Sequence, residues 1–151
     1  MTINVQFDTV ANSISALSID GVNIHDIDEI PESAEMQVPA LIPQANGFVS
    51  DISPQFQSYG SNGTAKIDLQ YTLNYVYLHA PIGSGISTYD IYKGLLTNVI
   101  AIFEAVFAND APDGAIDLQL STLSDIGTVT DPAGMEYWGV LFSLRVLEHV
   151  Q

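Results

Sequence analysis

In this chain of 151 residues, eighteen Asp and Glu face only three Lys and Arg, a formal charge of -15. Three scattered cations cannot neutralise the row of phosphates from which nucleic-acid affinity comes, so a binder of that kind is excluded. Hydrophobic residues at 47% and charged residues at 14% are enough for one globular core spanning 1–151, and the lack of Cys removes disulfides, thiolate catalysis and thiolate metal sites together.

The opening "MTINVQFDTV" has no cationic segment leading into an apolar run, so it does not read as a signal peptide, and the chain is expected to stay inside the cell that makes it. Ile3, Phe7, Val10, Ile14 and Leu17 recur at spacings of four and three, which predicts an amphipathic helix over about four turns. Ile3, Val5 and Phe7 also alternate as a strand would, so that rival stays open at the start. Asp20-Gly21 marks a turn, and "HDIDEIPESAEM" reads as an acidic connection. "MQVPALI", Met36 to Ile42, predicts a strand whose Pro39 places it at an edge or a bulge. From Pro43 to Thr64 the chain is rich in Gly, Pro, Ser and Asn, which fits either a long irregular segment or a twisted hairpin around Phe48 to Phe56.

"KIDLQYTLNYVYLH", Lys66 to His79, alternates without a break. Ile67, Leu69, Tyr71, Leu73, Tyr75 and Tyr77 form an apolar face, and Lys66, Asp68, Gln70, Thr72 and Asn74 form a face expected to stay wet. At about 3.3 Å per residue such a strand spans about 46 Å, whereas a compact domain of this size is about 38 Å across. The strand therefore either bends at a bulge near Asn74 or overhangs its own domain to pair with a neighbour.

Ser87 and Asp90 form a capping box for a helix from about Thr88 to Asn109. Its stripe Tyr92, Leu96, Val99, Phe103 and Val106, widened by Ile91, Leu95 and Ile102, predicts a helix buried around most of its circumference. Lys93, Asn98 and Glu104 interrupt it, which reads as too broken for a bilayer span. Ile116 to Val129 predicts a strand pair or one bulged strand broken near Gly127, "DPAG" a turn, and "EYWGVLFSLRVLEHV" a second long strand with Trp138, Val140, Phe142, Leu144 and Val146 on one side. The layout is α+β: a mixed, mainly antiparallel sheet with two long strands and two helices packed on one face.

Signatures of chemistry are missing. No Ser sits in a Gly-x-Ser-x-Gly elbow, and Thr88 stands where the third Gly of a phosphate loop belongs. His25, His79 and His149 lack ligand spacing, although His79 and His149, each ending a long strand, would meet if those strands ran together. Carboxylates cluster at Asp26, Asp28, Glu29 and Glu32 and at Asp110, Asp113 and Asp117, but Ala111 and Leu120 break a calcium-loop pattern, so solvated acidic loops are expected and no metal site.

The order of an amphipathic helix, the Pro-bearing strand "MQVPALIP", a loop-rich segment, a long Tyr-rich strand, a central helix and the closing "DIGTVTDPAGMEYWGVLFSLRVLEHV" resembles the tail terminator, or tail completion, proteins of long-tailed bacteriophages. The likeness covers nearly the whole chain and lies in size and order of elements, with the DPAG-x-x-Y-W-G turn as its more specific feature. It implies a structural virion protein of the tail and neck, assembled in the host cytoplasm, without catalytic residues, cofactor or membrane. It also implies a hexameric ring that caps the tail tube and joins the head connector or stopper protein, with DNA passing through the lumen. Lys66, Asp68, Gln70, Thr72 and Asn74 would then line that lumen, and Phe48, Phe56, Tyr59, Ile82 and Ile86 would contact neighbouring subunits or tube. Six copies at -15 each would keep DNA off the wall. Another neck ring such as a stopper fits the same layout, and a small acidic ligand-binding or enzyme domain is the alternative of a different class.

Overall fold

The computed structural model describes residues 7–32, 37–56, 67–83, 85–108, 115–122 and 125–150. Within them the elements run α1 (Phe7–Ser15), β1 (Asn23–Ile24), β2 (Ala40–Pro43), β3 (Val49–Phe56), β4 (Ile67–Pro81), α2 (Thr88–Ala108), β5 (Ala115–Thr122), β6 (Gly127–Thr130) and β7 (Glu136–Val150). The strands form one seven-stranded sheet in the order β1-β2-β4-β7-β5, with β3 also on β4 and β6 also on β7. β1 and β2 are parallel and every other pairing is antiparallel, which is the expected mixed, mainly antiparallel α+β fold.

The extra length of the long strands is used inside the chain. β4 and β7 pair from Ile67 opposite Val150 to Pro81 opposite Tyr137. On the outer edge of β4, β3 takes Ile67 to Leu73 and β2 takes Tyr75 to Leu78. On the outer edge of β7, β6 takes Glu136 to Gly139 and β5 takes Phe142 to Glu148. Two short strands in tandem thus satisfy each outer edge, and neither long strand overhangs to reach a neighbour. The ladder between β4 and β7 is broken between Leu78 and Ala80, at His79, and not near Asn74. The segment expected to be irregular or a hairpin contributes β3, with a register shift between Ser50 and Ser53 around Asp51.

Alternation decides which face of the sheet is buried by helices. Tyr71, Leu73, Tyr75 and Tyr77 of β4 and Val140, Phe142, Leu144 and Val146 of β7 share one cluster with Val10, Ala11 and Ile14 of α1 and Leu95, Val99, Ile102 and Val106 of α2. Each large apolar side chain so buried stabilises the fold by about 1.5–3 kcal/mol. The expected capping box starts α2: Asp90 N donates to Ser87 Oγ at 3.2 Å, and Ser87 Oγ donates to Asp90 Oδ2 at 2.9 Å.

Three expectations are overturned. α2 is long and apolar enough by length and composition to cross a membrane, so its polar residues do not by themselves bar a span. Ile91, Leu95, Val99, Ile102 and Val106 pack on the sheet, and only that flank is covered. Tyr92 and Leu96, expected inside, are exposed, because a helix lying on a sheet can bury only the side that faces it. Asp68, Thr72 and Asn74, expected to stay wet, are buried. They are short side chains on an interior strand, sheltered by paired neighbours on both edges.

A close approach singles out Gly139. A Cβ there would lie 2.0 Å from the Tyr77 carbonyl oxygen and 2.6 Å from a Val129 methyl, both held by the sheet. Gly139→Ala is therefore expected to destabilise the fold by about 3 kcal/mol or more. Gly127→Ala, where the added Cβ meets nothing within 4 Å, should stay within about 0.5 kcal/mol. Urea midpoints at unchanged m-value would check both.

Candidate functional site

Both helices bury their apolar residues against one face of the sheet, so the other face is where the described chain has room for a partner. The side chains on that face change character along β4. Asp68, Gln70, Thr72 and Asn74 are polar, whereas Val76 and Leu78 are apolar and join Ala40, Ile42, Val129 and Tyr137 in a second cluster. Because β7 runs antiparallel, its Tyr137, Gly139 and Leu141 flank the apolar half, and Ser143 and Arg145 flank the polar half.

Two adjoining clefts follow this division and share Gln44 and Leu141. The apolar one, about 540 Å³, lies over Ile42, Val76 and Val129 and runs to Asp131 and Pro132 of the DPAG turn. The polar one, about 800 Å³, is bordered by Ser50, Asp51, Thr72, Gln119, Ser143 and Arg145, and Phe107 at the end of α2 reaches its edge. Arg145, opposite Thr72 in the ladder, is exposed there and brings a cation to a strongly acidic chain.

Asn74 builds the rim between them. Its side-chain amide donates to Gly47 O at 2.9 Å and to Ser50 Oγ at 2.8 Å. Its backbone N-H donates to Phe48 O at 2.8 Å, and its carbonyl accepts from Gln44 N at 3.0 Å. One residue thus holds both ends of the connector between β2 and β3. At the far end, Asp131 does the same for the last hairpin. Its Oδ1 accepts from Met135 N at 2.9 Å and its Oδ2 from the Tyr137 hydroxyl at 3.4 Å, while Gly134, in the left-handed region at φ 86°, donates to Asp131 O. Asp at the first position of a turn is the signal that could have pointed to this role.

The residues singled out from the sequence are scattered by the fold. Lys66 and Tyr59 lie outside the described residues, as do the side chains of Phe56 and His149. Phe48 is not at a contact surface: it is buried, edge-on to Tyr75 with ring centroids 5.4 Å apart, because β4 presents that ring to the same core. Ile82 and Ile86 are exposed. Of the expected lumen residues, Asp68, Thr72 and Asn74 are sheltered and Gln70 is half-buried. His79 and His149 cannot meet, since the register sets His149 opposite Asp68 at the other end of β4.

Among the described residues no three His, Cys, Asp or Glu are grouped to hold a metal ion. Asp26 of the acidic connection accepts from Asn12 Nδ2 at 3.1 Å and from Ile27 N at 2.7 Å, which are the bonds of a structural loop. Asp110 and Asp113 lie outside the described residues.

Two buried polar links tie the helix-covered side together. The Tyr71 hydroxyl donates to Glu148 Oε2 at 2.7 Å, and burial together with that carboxylate pushes the phenol pKa far up. Asn98 Nδ2 of α2 donates to the Tyr77 hydroxyl at 2.7 Å, which leaves the phenol proton for His79 Nδ1, also at 2.7 Å. Burial pushes the Tyr77 pKa up to about 12, with the Asn98 bond opposing, so the phenol keeps its proton. Burial lowers the His79 pKa, in keeping with a neutral ring that accepts at Nδ1.

Asn74→Ala should cost about 1–3 kcal/mol by leaving the connector groups unpaired, a fall in Tm of about 3–10 °C by calorimetry. For His79 the folded state resists the proton that the unfolded chain takes up near its ordinary pKa of about 6.5. Stability should therefore fall as pH drops through that value, and His79→Gln, which keeps an acceptor for Tyr77, should show a shallower fall between pH 7 and 5 in denaturant titrations. Compared with known proteins, the chain matches no family model, no curated sequence and no solved structure.

Proposed function

We propose that this chain is a structural ring protein of a bacteriophage tail, of the tail terminator type, that caps the tube and offers the surface to which the head connector docks. The observation that carries this reading is the division of labour between the two faces of the sheet. One face is spent on the core, while the other presents two wide, adjoining clefts in place of a closed catalytic cavity. Exposed apolar side chains stand at loop tips, at Ile52 in the β3 bulge and at Ile82 and Ile86 between β4 and α2. Such positions suit contacts with neighbouring subunits or tube.

In this reading the chain is not an enzyme and uses no cofactor. Its partners are further copies of itself, the tube protein and the head-tail connector. Gln70, Gln119 and Arg145 would supply the lumen surface in place of the sheltered Asp68, Thr72 and Asn74. Six copies at -15 each would repel DNA in transit. A stopper ring would use the same surfaces at the next position along the neck.

The test is to add the purified protein to polymerising tail tube protein and to image the products by negative stain. A terminator should halt growth and appear as a ring at one end of each tube. Tubes that lengthen as before, with nothing bound at either end, would remove this reading.

A further inference from the structure

α2 has two apolar flanks, and the fold uses only one. Ile91, Leu95, Val99, Ile102 and Val106 face the sheet and are buried. Tyr89, Leu96, Ile100 and Phe107 point outward with exposures of 73%, 47%, 56% and 66%, and Tyr92 at 36% lies along their edge. These residues are anchored on the fold: Tyr92 sits 6.2 Å from Trp138 between ring centroids, and Phe107 stacks on Phe103, which itself meets Phe142 edge-on. Together these five side chains leave about 560 Å² in water, taking about 200 Å² for each large side chain. That lies at the upper end of the largest patch of a typical monomer, about 300–600 Å², and two copies meeting through it would bury about 1,100 Å² in all, above the roughly 1,000 Å² expected of a specific contact.

The sequence of this flank is self-complementary on reversal about Asn98. Tyr89 exchanges with Phe107, and Leu96 with Ile100. Lys93 falls one residue from the position that exchanges with Glu104. A chain of net charge -15 has only Asp90, Lys93 and Glu104 as charged residues on α2, so this flank is where two copies can approach with little repulsion.

We propose that two copies of this chain associate through α2, the helices antiparallel across a two-fold axis at the level of Asn98. Tyr89 then packs on the partner's Phe107, Leu96 on the partner's Ile100, and Lys93 lies beside the partner's Glu104. The overlap from residue 89 to 107 is about 27 Å at 1.5 Å per residue. The contact is isologous and closes at two copies, so it does not depend on the ring proposed above. A membrane surface is the poorer occupant, because an interfacial helix relies on Lys and Arg beside its apolar face, and this one offers a single Lys against two acids.

Sedimentation equilibrium over a range of concentration tests this. A species of twice 16.3 kDa is expected, tightening as salt screens the repulsion between two acidic bodies. Leu96→Asp, at a site already exposed and therefore compatible with folding, should raise Kd by at least about tenfold, whereas Met135→Ser, away from α2, should leave it unchanged. Lys93→Glu and Glu104→Lys should each weaken the dimer and restore it when combined, a rescue that a merely structural role would not give. A chain that stays at 16.3 kDa at 100 times lower and at full working concentration alike overturns the proposal. So does a larger assembly indifferent to Leu96→Asp, or retention on phosphatidylcholine vesicles that Leu96→Asp abolishes.

Discussion

The antiparallel ladder between β4 and β7 is the constraint on which the rest of this molecule depends. The two strands pair from Ile67 opposite Val150 to Pro81 opposite Tyr137, with one shift of register at His79. Such a ladder sets two more long edges in need of hydrogen bonds, and the chain meets that need with β3 and β2 along one edge and β5 and β6 along the other. The short strands, the connector clamped by Asn74 and the turn held by Asp131 are consequences of closing those edges. The glycine at 139 belongs to the same constraint, because its neighbour across the ladder leaves no space for a side chain.

Alternation along these strands gives the sheet two unlike faces. The first, with four Tyr and Phe rings fully buried under α1 and α2, supplies most of the apolar burial that stabilises the fold. Buried polar atoms on this face are bonded from Tyr71 to Glu148 between the long strands, from Tyr77 to Asn98 between sheet and helix, and from Tyr77 to His79 within β4, while the Tyr75 hydroxyl is buried without a hydrogen-bond partner among the described residues. Left unpaired, such groups would cost about 1–3 kcal/mol each, so these bonds fix the register of α2 on the sheet as much as they strengthen it. The second face is thinner in apolar material and opens into the two clefts.

The polar cleft gathers hydroxyls, amides, the Asp51 carboxylate and Arg145, and the outward flank of α2 leaves large apolar side chains in water. The charge of -15 limits what can approach either surface, favouring a contact that excludes charge or a partner that brings cations.

Much of the architecture was legible in the residues alone. Strict period-two alternation predicted β4 and β7 and their inward faces, the Ser87 and Asp90 pair marked the start of α2, and DPAG marked the final turn. These are local signals, set by backbone geometry and by hydrogen bonds between residues close in the chain. Which strand lies beside which, and therefore what is sheltered, was decided only by the tertiary structure. Thr72 and Asn74 have the composition of a wet face yet are buried, because β3 and β7 enclose them from both sides. Phe48 has the look of a loop anchor yet lies in the core, because Tyr75 meets it there. Tyr92 and Leu96 read as core but face water, since a stripe shows how apolar a helix is all round and only the sheet beneath it selects the flank that is covered.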